Sequence, residues 1–544
     1  MDPRKYNIYF HTHTISGIII AALLYVIFFA GSFSFFKDNI TAWQKGKSTK
    51  AEPISADYNY LLDSLGKQYD LRGRNIDFFY LKQAQGAYVS MSTSQDTIIS
   101  KPKATAKKEG RRGRGAANED AAYFLYYFAD KTPTSYAEGY DMGEFLYRLH
   151  FLAQLNQLPI HIGTPFGYLL AGIVSFLFLF ALITGLFLHW EKIKTNFFLF
   201  RPFSKWKTVW TDMHTALGVI GFPFQFVFAV TGIVLIVNFV LIAPFSKLLY
   251  EGNEEQIYED MLFNKNIKVD YTYTPLDSPF DLNTFVAKWE STWPNATISR
   301  MYIRNFLDKS MQIGVEFKPK SSAAFSGSGY ALQDIASGKV LSYKSPTDDG
   351  TYVDGVKSLI YHLHFGDFGG KPLQIVFFIL GLMGCMVIIS GIVIWLVARD
   401  KTNVPLYKRR FNFWASNFFL AGCLSMLPVT AFTFVMLKVV PVINQSVIYQ
   451  LYFYSWLLLG IYLMALRNLA RMNRHVLVLS IITCFAVPIA NGMRTGLWLW
   501  NTWRMGATDI FFIDILFIVL SICCLYAFLK MKKQAKPFQV LAKK

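Results

Sequence analysis

The sequence predicts a polytopic α-helical membrane protein of about eight transmembrane helices, built on a duplicated helix, outer domain, helix core with two outer α+β domains. Three observations carry this. With 53% hydrophobic and 17% aromatic residues against only 17% charged, the 544-residue chain is too apolar for a soluble protein of its length. Apolar runs long enough to cross a bilayer recur along it. The histidines and glycines of its first half also return, at matching offsets, in a second copy.

The apolar runs lie at roughly 15–36, 166–188, 216–240, 375–397, 413–437, 448–466, 476–493 and 509–530. The first covers about 20 residues and no small-x-small cleavage site follows it, so it reads as a retained helix rather than a secretory signal. Short loops set the orientation, because Lys and Arg accumulate on the cytoplasmic side. Arg4 and Lys5 precede the first run; Lys192, Lys194, Arg201, Lys205 and Lys207 follow the second; Arg399, Lys401, Lys408, Arg409 and Arg410 follow the fourth; Arg467, Arg471 and Arg474 follow the sixth. All fall on one side, which places both termini in the cytoplasm. The net charge of +18 is then a topology signal that asks for no nucleic-acid partner.

The chain divides accordingly. Residues 1–36 hold the first span, 37–160 a first outer segment, 161–243 the second and third spans, 244–370 a second outer segment, 371–400 the fourth span, and 401–544 a four-span extension. The first outer segment contains "KPKATAKKEGRRGRGAANED", a basic stretch that cannot bury a core and reads as a mobile loop. All five cysteines (Cys385, Cys423, Cys484, Cys523, Cys524) fall in predicted spans, so the outer segments have no disulfide framework and no thiolate metal site.

The duplication is read from offsets. His13 is followed by Gly17 and Gly31, and His214 by Gly218 and Gly232, four and eighteen residues on in each case. "YRLHF" with His150 precedes the second span, and "YHLHF" with His364 precedes the fourth. Both copies start from the cytoplasmic side, so they form a parallel repeat about an axis along the membrane normal.

Through "RKYNIYFHTHTISG", "LYRLHFLAQL", "TDMHTALGVIGFPFQFVFAVTG" and "YHLHFGDFGGKPLQ", residues 1 to about 400 resemble the PepSY-associated transmembrane family of bacterial inner membranes. The resemblance implies that the outer segments are PepSY-like modules, a helix followed by strands. In the second copy "DLNTFVAKWESTWPNATI" has helical spacing, "SMQIGVEFKP" alternates as a strand does, and "LQDIASGKVLSY" looks like a closing hairpin; in the first, "ADYNYLLDSLGKQY" and "GAYVSMSTS" are the shorter counterparts. It further implies haem-containing reductases that release iron from ferric siderophores, as some members of the family are described. It says nothing of residues 401–544.

The residues themselves favour haem as well, because neutral imidazoles from two facing helices form an axial pair for iron. His13 and His214 fall at the cytoplasmic end and His150 and His364 at the outer end, one histidine of each pair from each repeat. The glycines four residues on share the histidine's helical face and leave room for a flat macrocycle. No C-x-x-C-H occurs, so the expected cofactor is haem b, two per chain, held by His13, His214, His150 and His364. Alternates stay open: His189 at the cytoplasmic end, His161 in competition with His150, and His11 and His362 two residues from the proposed ligands. His475, beside a basic loop, reads as an interfacial anchor.

No G-x-G-x-x-G after a strand, P-loop, H-E-x-x-H or nucleophile elbow is present, so electrons must come from a membrane quinol or a partner reductase. The expected function is transfer of electrons across the bilayer to a periplasmic ferric siderophore or other ferric chelate, releasing Fe(II). A non-redox PepSY interaction protein and a transporter component are the competing readings. Against transport, only the seventh span, with Arg494 near its end, carries a charge toward its middle.

Overall fold

The structure, a computed structural model, describes residues 2–48, 56–81, 86–98, 121–128, 131–160, 165–201, 204, 206–253, 269–277, 280–320, 328–347 and 352–531. The basic stretch around Lys107 and Arg111, and His161, lie outside them. Its helices are α1 (Pro3–Ser34), α2 (Lys37–Lys45), α3 (Tyr58–Gly66), α4 (Met142–His150), α5 (Phe166–His189), α6 (Ile193–Phe198), α7 (Trp206–Leu249), α8 (Leu282–Thr292), α9 (Tyr352–Phe365), α10 (Gly370–Arg399), α11 (Leu406–Val439), α12 (Gln445–Ala465), α13 (Leu469–Thr495), α14 (Leu499–Arg504) and α15 (Thr508–Met531). Among the described residues eight helical stretches are long and apolar enough to cross a membrane: Pro3–Ser34, Phe166–Thr195, Lys207–Val237, Asp367–Arg399, Leu406–Val439, Gln445–Ala465, Leu469–Thr495 and Thr508–Met531. This is the polytopic chain that hydropathy predicts.

The duplication reaches the backbone. After α1 the helix breaks at Phe36 (φ −109°, ψ 20°) before α2 begins, while α7 carries one non-helical residue, Val237 (φ −111°, ψ 18°). Phe36 lies 23 residues beyond His13, and Val237 lies 23 beyond His214. The same kink is written at the same place in both copies.

The chain falls into two compact units: 1–50, 140–237 and 374–544 form one, and 51–139 with 238–373 the other. The outer unit therefore starts later and ends sooner than the expected 37–160 segment, because α2 and α4 belong with the bundle. Asn39, Ile40, Ala42 and Trp43 of α2, and Phe145, Leu146 and Leu149 of α4, are buried there.

In the membrane unit, small residues let helices approach closely. Ser32 lies against Gly381, Phe28 against Gly384, and Val237 against Gly172. The extension docks on the first repeat through edge-on and tilted aromatic rings: Phe36 on Phe512 (4.7 Å), Trp43 on Phe434 (5.2 Å) and Phe145 on Tyr452 (4.7 Å). A buried polar clamp closes around Trp43. Its indole N–H donates to Asp514 (2.7 Å), which also accepts from Asn491 Nδ2 (3.0 Å), and Lys438 Nζ donates to the Trp43 carbonyl (2.6 Å) with its ammonium 4.2 Å above the indole ring. A buried carboxylate and ammonium are tolerable only when bonded in this way.

The outer unit is one eight-stranded antiparallel sheet, β1 (Ile76–Tyr80), β2 (Gly86–Met91), β3 (Ala122–Tyr127), β4 (Thr132–Ser135), β5 (Ala296–Arg304), β6 (Gln312–Pro319), β7 (Gly329–Asp334) and β8 (Val340–Lys344), in the order β4-β3-β2-β1-β5-β6-β7-β8. Each repeat supplies a four-stranded meander. The two expected α+β modules are both present, joined through β1 and β5, with Ile76 opposite Ile303 and Phe79 opposite Arg300. Alternate residues face one core: Ile76, Phe78, Val89 and Met91 from the first module and Met301, Ile303, Ile313 and Val315 from the second, under Leu61 and Leu65 of α3 and Phe285 and Trp289 of α8. The helix expected to run to Ile298 ends at Thr292, since Pro294 disfavours helical geometry at Trp293, and Ala296 opens β5 instead.

The two helices cap each other crosswise through a repeated D-x-N. Asp57 caps α3 at Tyr60 N (3.1 Å) and accepts from Asn283 Nδ2 (3.0 Å), while Asp281 caps α8 at Thr284 N (3.0 Å) and accepts from Asn59 Nδ2 (2.8 Å). The amide oxygens complete the exchange, with Asn283 taking Tyr58 N–H (2.7 Å) and Asn59 taking Leu282 N–H (3.0 Å).

Candidate functional site

His13 stands on the third turn of α1, which Asp2 caps and Pro3 opens. Its Nδ1–H donates to the carbonyl of Ala181 on α5 (2.8 Å), and its ring lies against Gly185. His214 on α7 repeats this on α10: Nδ1–H donates to Val387 (2.9 Å), with Ser390 Oγ at 3.3 Å, and the ring lies against Gly391. His150, at the end of α4, does the same on α1, with Nδ1–H to Ile27 (2.8 Å) and its ring over Gly31.

The spacing has one physical cause. A helical carbonyl already accepts from the N–H four residues on, and the side chain at that position covers its second lone pair. Glycine there uncovers it and lets a ring approach. A Cβ at Gly185 would sit 3.0 Å from the His13 ring, at Gly391 3.2 Å from His214, and at Gly31 inside contact with His150. In two of the three seats the residue before the glycine is a hydroxyl that folds onto the same carbonyl: Thr184 to Ala181 (3.1 Å) and Ser390 to Val387 (2.8 Å).

These bonds fix the tautomer. A carbonyl only accepts, so Nδ1 carries the proton and Nε2 of each neutral ring keeps its lone pair, the arrangement of a metal-ligating histidine. The pull of burial, stronger than that of the Ile27 carbonyl, lowers the His150 imidazole below its ordinary range and favours the neutral form.

His13 and His214 are brought together, with ring centroids 6.1 Å apart and planes at 70°. Two imidazole–metal bonds of about 2.0 Å, plus ~1.1 Å from each nitrogen to its ring centre, span roughly 6.2 Å. The pair therefore has the separation of two axial ligands on one ion. Among the described residues no third His, Cys, Asp or Glu joins it to make a metal-binding group. A methyl group built on Gly17 or Gly218 would meet no atom within 4 Å, so the space beside both histidines is open.

Of the other candidates, His189 lies near the pair and interacts electrostatically with His13 and His214. His364 belongs to the outer unit, near the end of α9, with the Phe365 ring 5.7 Å away. His362 Nδ1 is bonded to Asp367 Oδ1, which orients that ring too. His189 ends α5 one turn beyond Gly185, His11 is exposed, and His475 bonds Tyr462 OH (2.7 Å). Sequence reasoning missed the seats, although their signal was present: "ALITG" (181–185), "VIISG" (387–391) and "IFFAG" (27–31) each end on the glycine, and "FAVTG" (228–232) has the same pattern.

Comparison with curated proteins finds no match. The family described as the PepSY-associated TM region matches residues 10–398, which takes in both histidine-bearing repeats and the whole sheet. The chain belongs to the PepSY-associated transmembrane family.

Proposed function

We propose that this membrane protein binds two b-type haems and passes electrons across the bacterial inner membrane to a periplasmic ferric chelate of the siderophore class, releasing Fe(II). The observation that carries this is the His13–His214 pair, seated in two repeats by the same carbonyl-and-glycine device at a two-ligand separation. Among the described residues no third metal-ligating group completes the pair, so a macrocycle would supply an octahedral iron's other four ligands, and Gly17 and Gly218 leave room beside the rings. The second pair, His150 with His364, rests on the register of the repeats, and the basic short loops support cytoplasmic termini.

Bound haem would supply one-electron iron chemistry. The chain's own part is to hold ligands and exclude water: the Ala181 and Val387 carbonyls lock the imidazoles so that Nε2 points away from the seat, and the apolar helices keep the site dry. A membrane quinol or a partner reductase is the electron donor. Fe(II) binds hard oxygen ligands less tightly than Fe(III), so one electron frees the metal without breaking the chelator.

Pyridine haemochrome analysis of protein purified from haem-replete cells should give about two haems per chain, low-spin in the oxidised spectrum. His214→Ala and His364→Ala should each leave about one. A colourless protein refutes the haem assignment. Dithionite-reduced protein in nanodiscs, mixed anaerobically with ferric siderophores and an Fe(II) trap, tests the acceptor. Reoxidation no faster than in buffer refutes the chelate reductase.

A further inference from the structure

The turn joining the duplicated core to the extension carries charge that the histidine pairs do not use. A cavity of about 530 Å³ opens there, lined by Arg399, Val404, Tyr407, Lys408, Phe411 and Asn412. Among the described residues the guanidinium of Arg399, the last residue of α10, has its hydrogen bond and ring contact within its own helix, 5.0 Å from the Trp395 ring centre and 3.4 Å from the Trp395 carbonyl. The Lys408 ammonium stands 5.9 Å from the Tyr407 ring centre. Asp400, the carboxylate of this turn, is taken by Arg409 (2.6 Å), so among the described residues both cations lining the cavity lack an acidic partner.

Two further donors converge on the same space. Asn412 is only 9% exposed and lines the cavity, yet among the described residues its side-chain amide has no hydrogen-bond partner. Its amide N–H groups are donors available to a group in the cavity. The 34-residue helix α11 begins here behind Pro405, which offers no side-chain cap, so its first N–H groups are also open. Guanidinium, ammonium, amide and helix N-terminus together make a receptor for a phosphate-type anion. The rim is apolar: Leu406, Tyr407 and Phe411 are 56%, 69% and 68% exposed at the start of one helix long and apolar enough to cross a membrane.

We propose that this cavity binds a phosphate-bearing anion, presented as the headgroup of an anionic phospholipid of the same bilayer. Arg399 and Lys408 take the phosphate oxygens, Asn412 donates from the buried wall, and Tyr407, Phe411 and Leu406 lie along the acyl chains. Inorganic phosphate would satisfy the charges but not the apolar rim, and the site would bind it weakly. The proposal is independent of the haem and reductase readings.

The test uses the full chain in neutral detergent, titrated with phosphatidylglycerol, phosphatidylcholine or inorganic phosphate at fixed ionic strength. Thermal stability and retained lipid by native mass spectrometry are followed. Phosphatidylglycerol should raise the Tm and stay bound, and the other two should not. Arg399→Gln with Lys408→Gln should weaken that binding on the order of tenfold or more. Asn412→Ala should weaken it less, and Arg474→Gln, a basic residue elsewhere, should leave it unchanged. Equal retention of phosphatidylglycerol by wild type, the double variant and Asn412→Ala overturns the site. A Tm rise with inorganic phosphate matching that with phosphatidylglycerol, and no retained lipid, overturns the lipid assignment.

Discussion

The two copies of the repeat share their histidine seats, their kinks and their helix caps, yet they diverge beyond the kink. After Phe36 the chain forms a separate helix, α2, whose Trp43 is fully buried under the C-terminal extension. After Val237 the helix runs on to Leu249, and Leu248 and Leu249 are 79% and 70% exposed. Trp43 lies 30 residues after His13, and the residue 30 after His214 is Pro244, which is exposed. The features that the copies keep in common seat the His13 and His214 rings, kink the first helix of each copy and cap the helices over the sheet. The Trp43 docking surface for 401–544 is not repeated at Pro244, so the two copies meet the extension differently.

The largest expected effect comes from breaking that asymmetry. Trp43→Ala empties a site packed on Phe434 and strands Asp514 and Lys438 beside it, at a cost of about 3–5 kcal/mol. Pro244→Ala, at the counterpart position, should not lower stability. Thermal unfolding in detergent compares the two. Equal losses would mean that the second copy also depends on packing at this offset.

The seats test the likeness instead. Gly185→Leu and Gly391→Leu both push a side chain into an imidazole held at 2.8 and 2.9 Å by the neighbouring carbonyl, and each should cost about 1–3 kcal/mol through overpacking. ¹⁵N spectra of histidine-labelled protein should lose the bonded Nδ1–H signal of His13 in the first variant and of His214 in the second. Each change should leave the other ring's bond in place. If Gly185→Leu perturbs neither ring, the seat is not what orients His13.

Hydropathy and the histidine offsets made the eight spans and the duplication legible, because both are written along the chain at fixed periods. The fused sheet was not, since pairing Ile76 with Ile303 joins strands more than two hundred residues apart and neither strand's own alternation names its neighbour. The glycines after the histidines were read as space for a macrocycle. Gly17 and Gly218 do face open space, but Gly31, read only as part of an offset, is the seat of His150. The clamp was missed for another reason. Lys438 and Asp514 sit within two turns of the ends of long apolar spans, where a window average passes over a single charge.

The smallest expected effect lies in the outer unit, where the repeats meet through water-accessible caps. The Asn59 amide, with the Thr284 N–H and hydroxyl, holds the Asp281 carboxyl down to about 2, and the Asn283 amide with the Tyr60 N–H lowers Asp57 in the same direction. An unfolded aspartate titrates near about 3.9. With the folded value depressed, the caps contribute fully above that pH, and the contribution is lost as pH falls from about 4 toward 2. Solvent screens both groups, so the change should be local rather than global. Hydrogen exchange of the first turns of α3 and α8 should lose protection over that window in the wild type. Asp281→Asn keeps an N-cap acceptor that does not titrate, so its α8 protection should stay flat while α3 still responds through Asp57. Because Asp281 also accepts from Asn59, a flat α8 together with an unchanged α3 transition would make the two caps independent. A joint loss of the transition would make the crosswise exchange one cooperative unit.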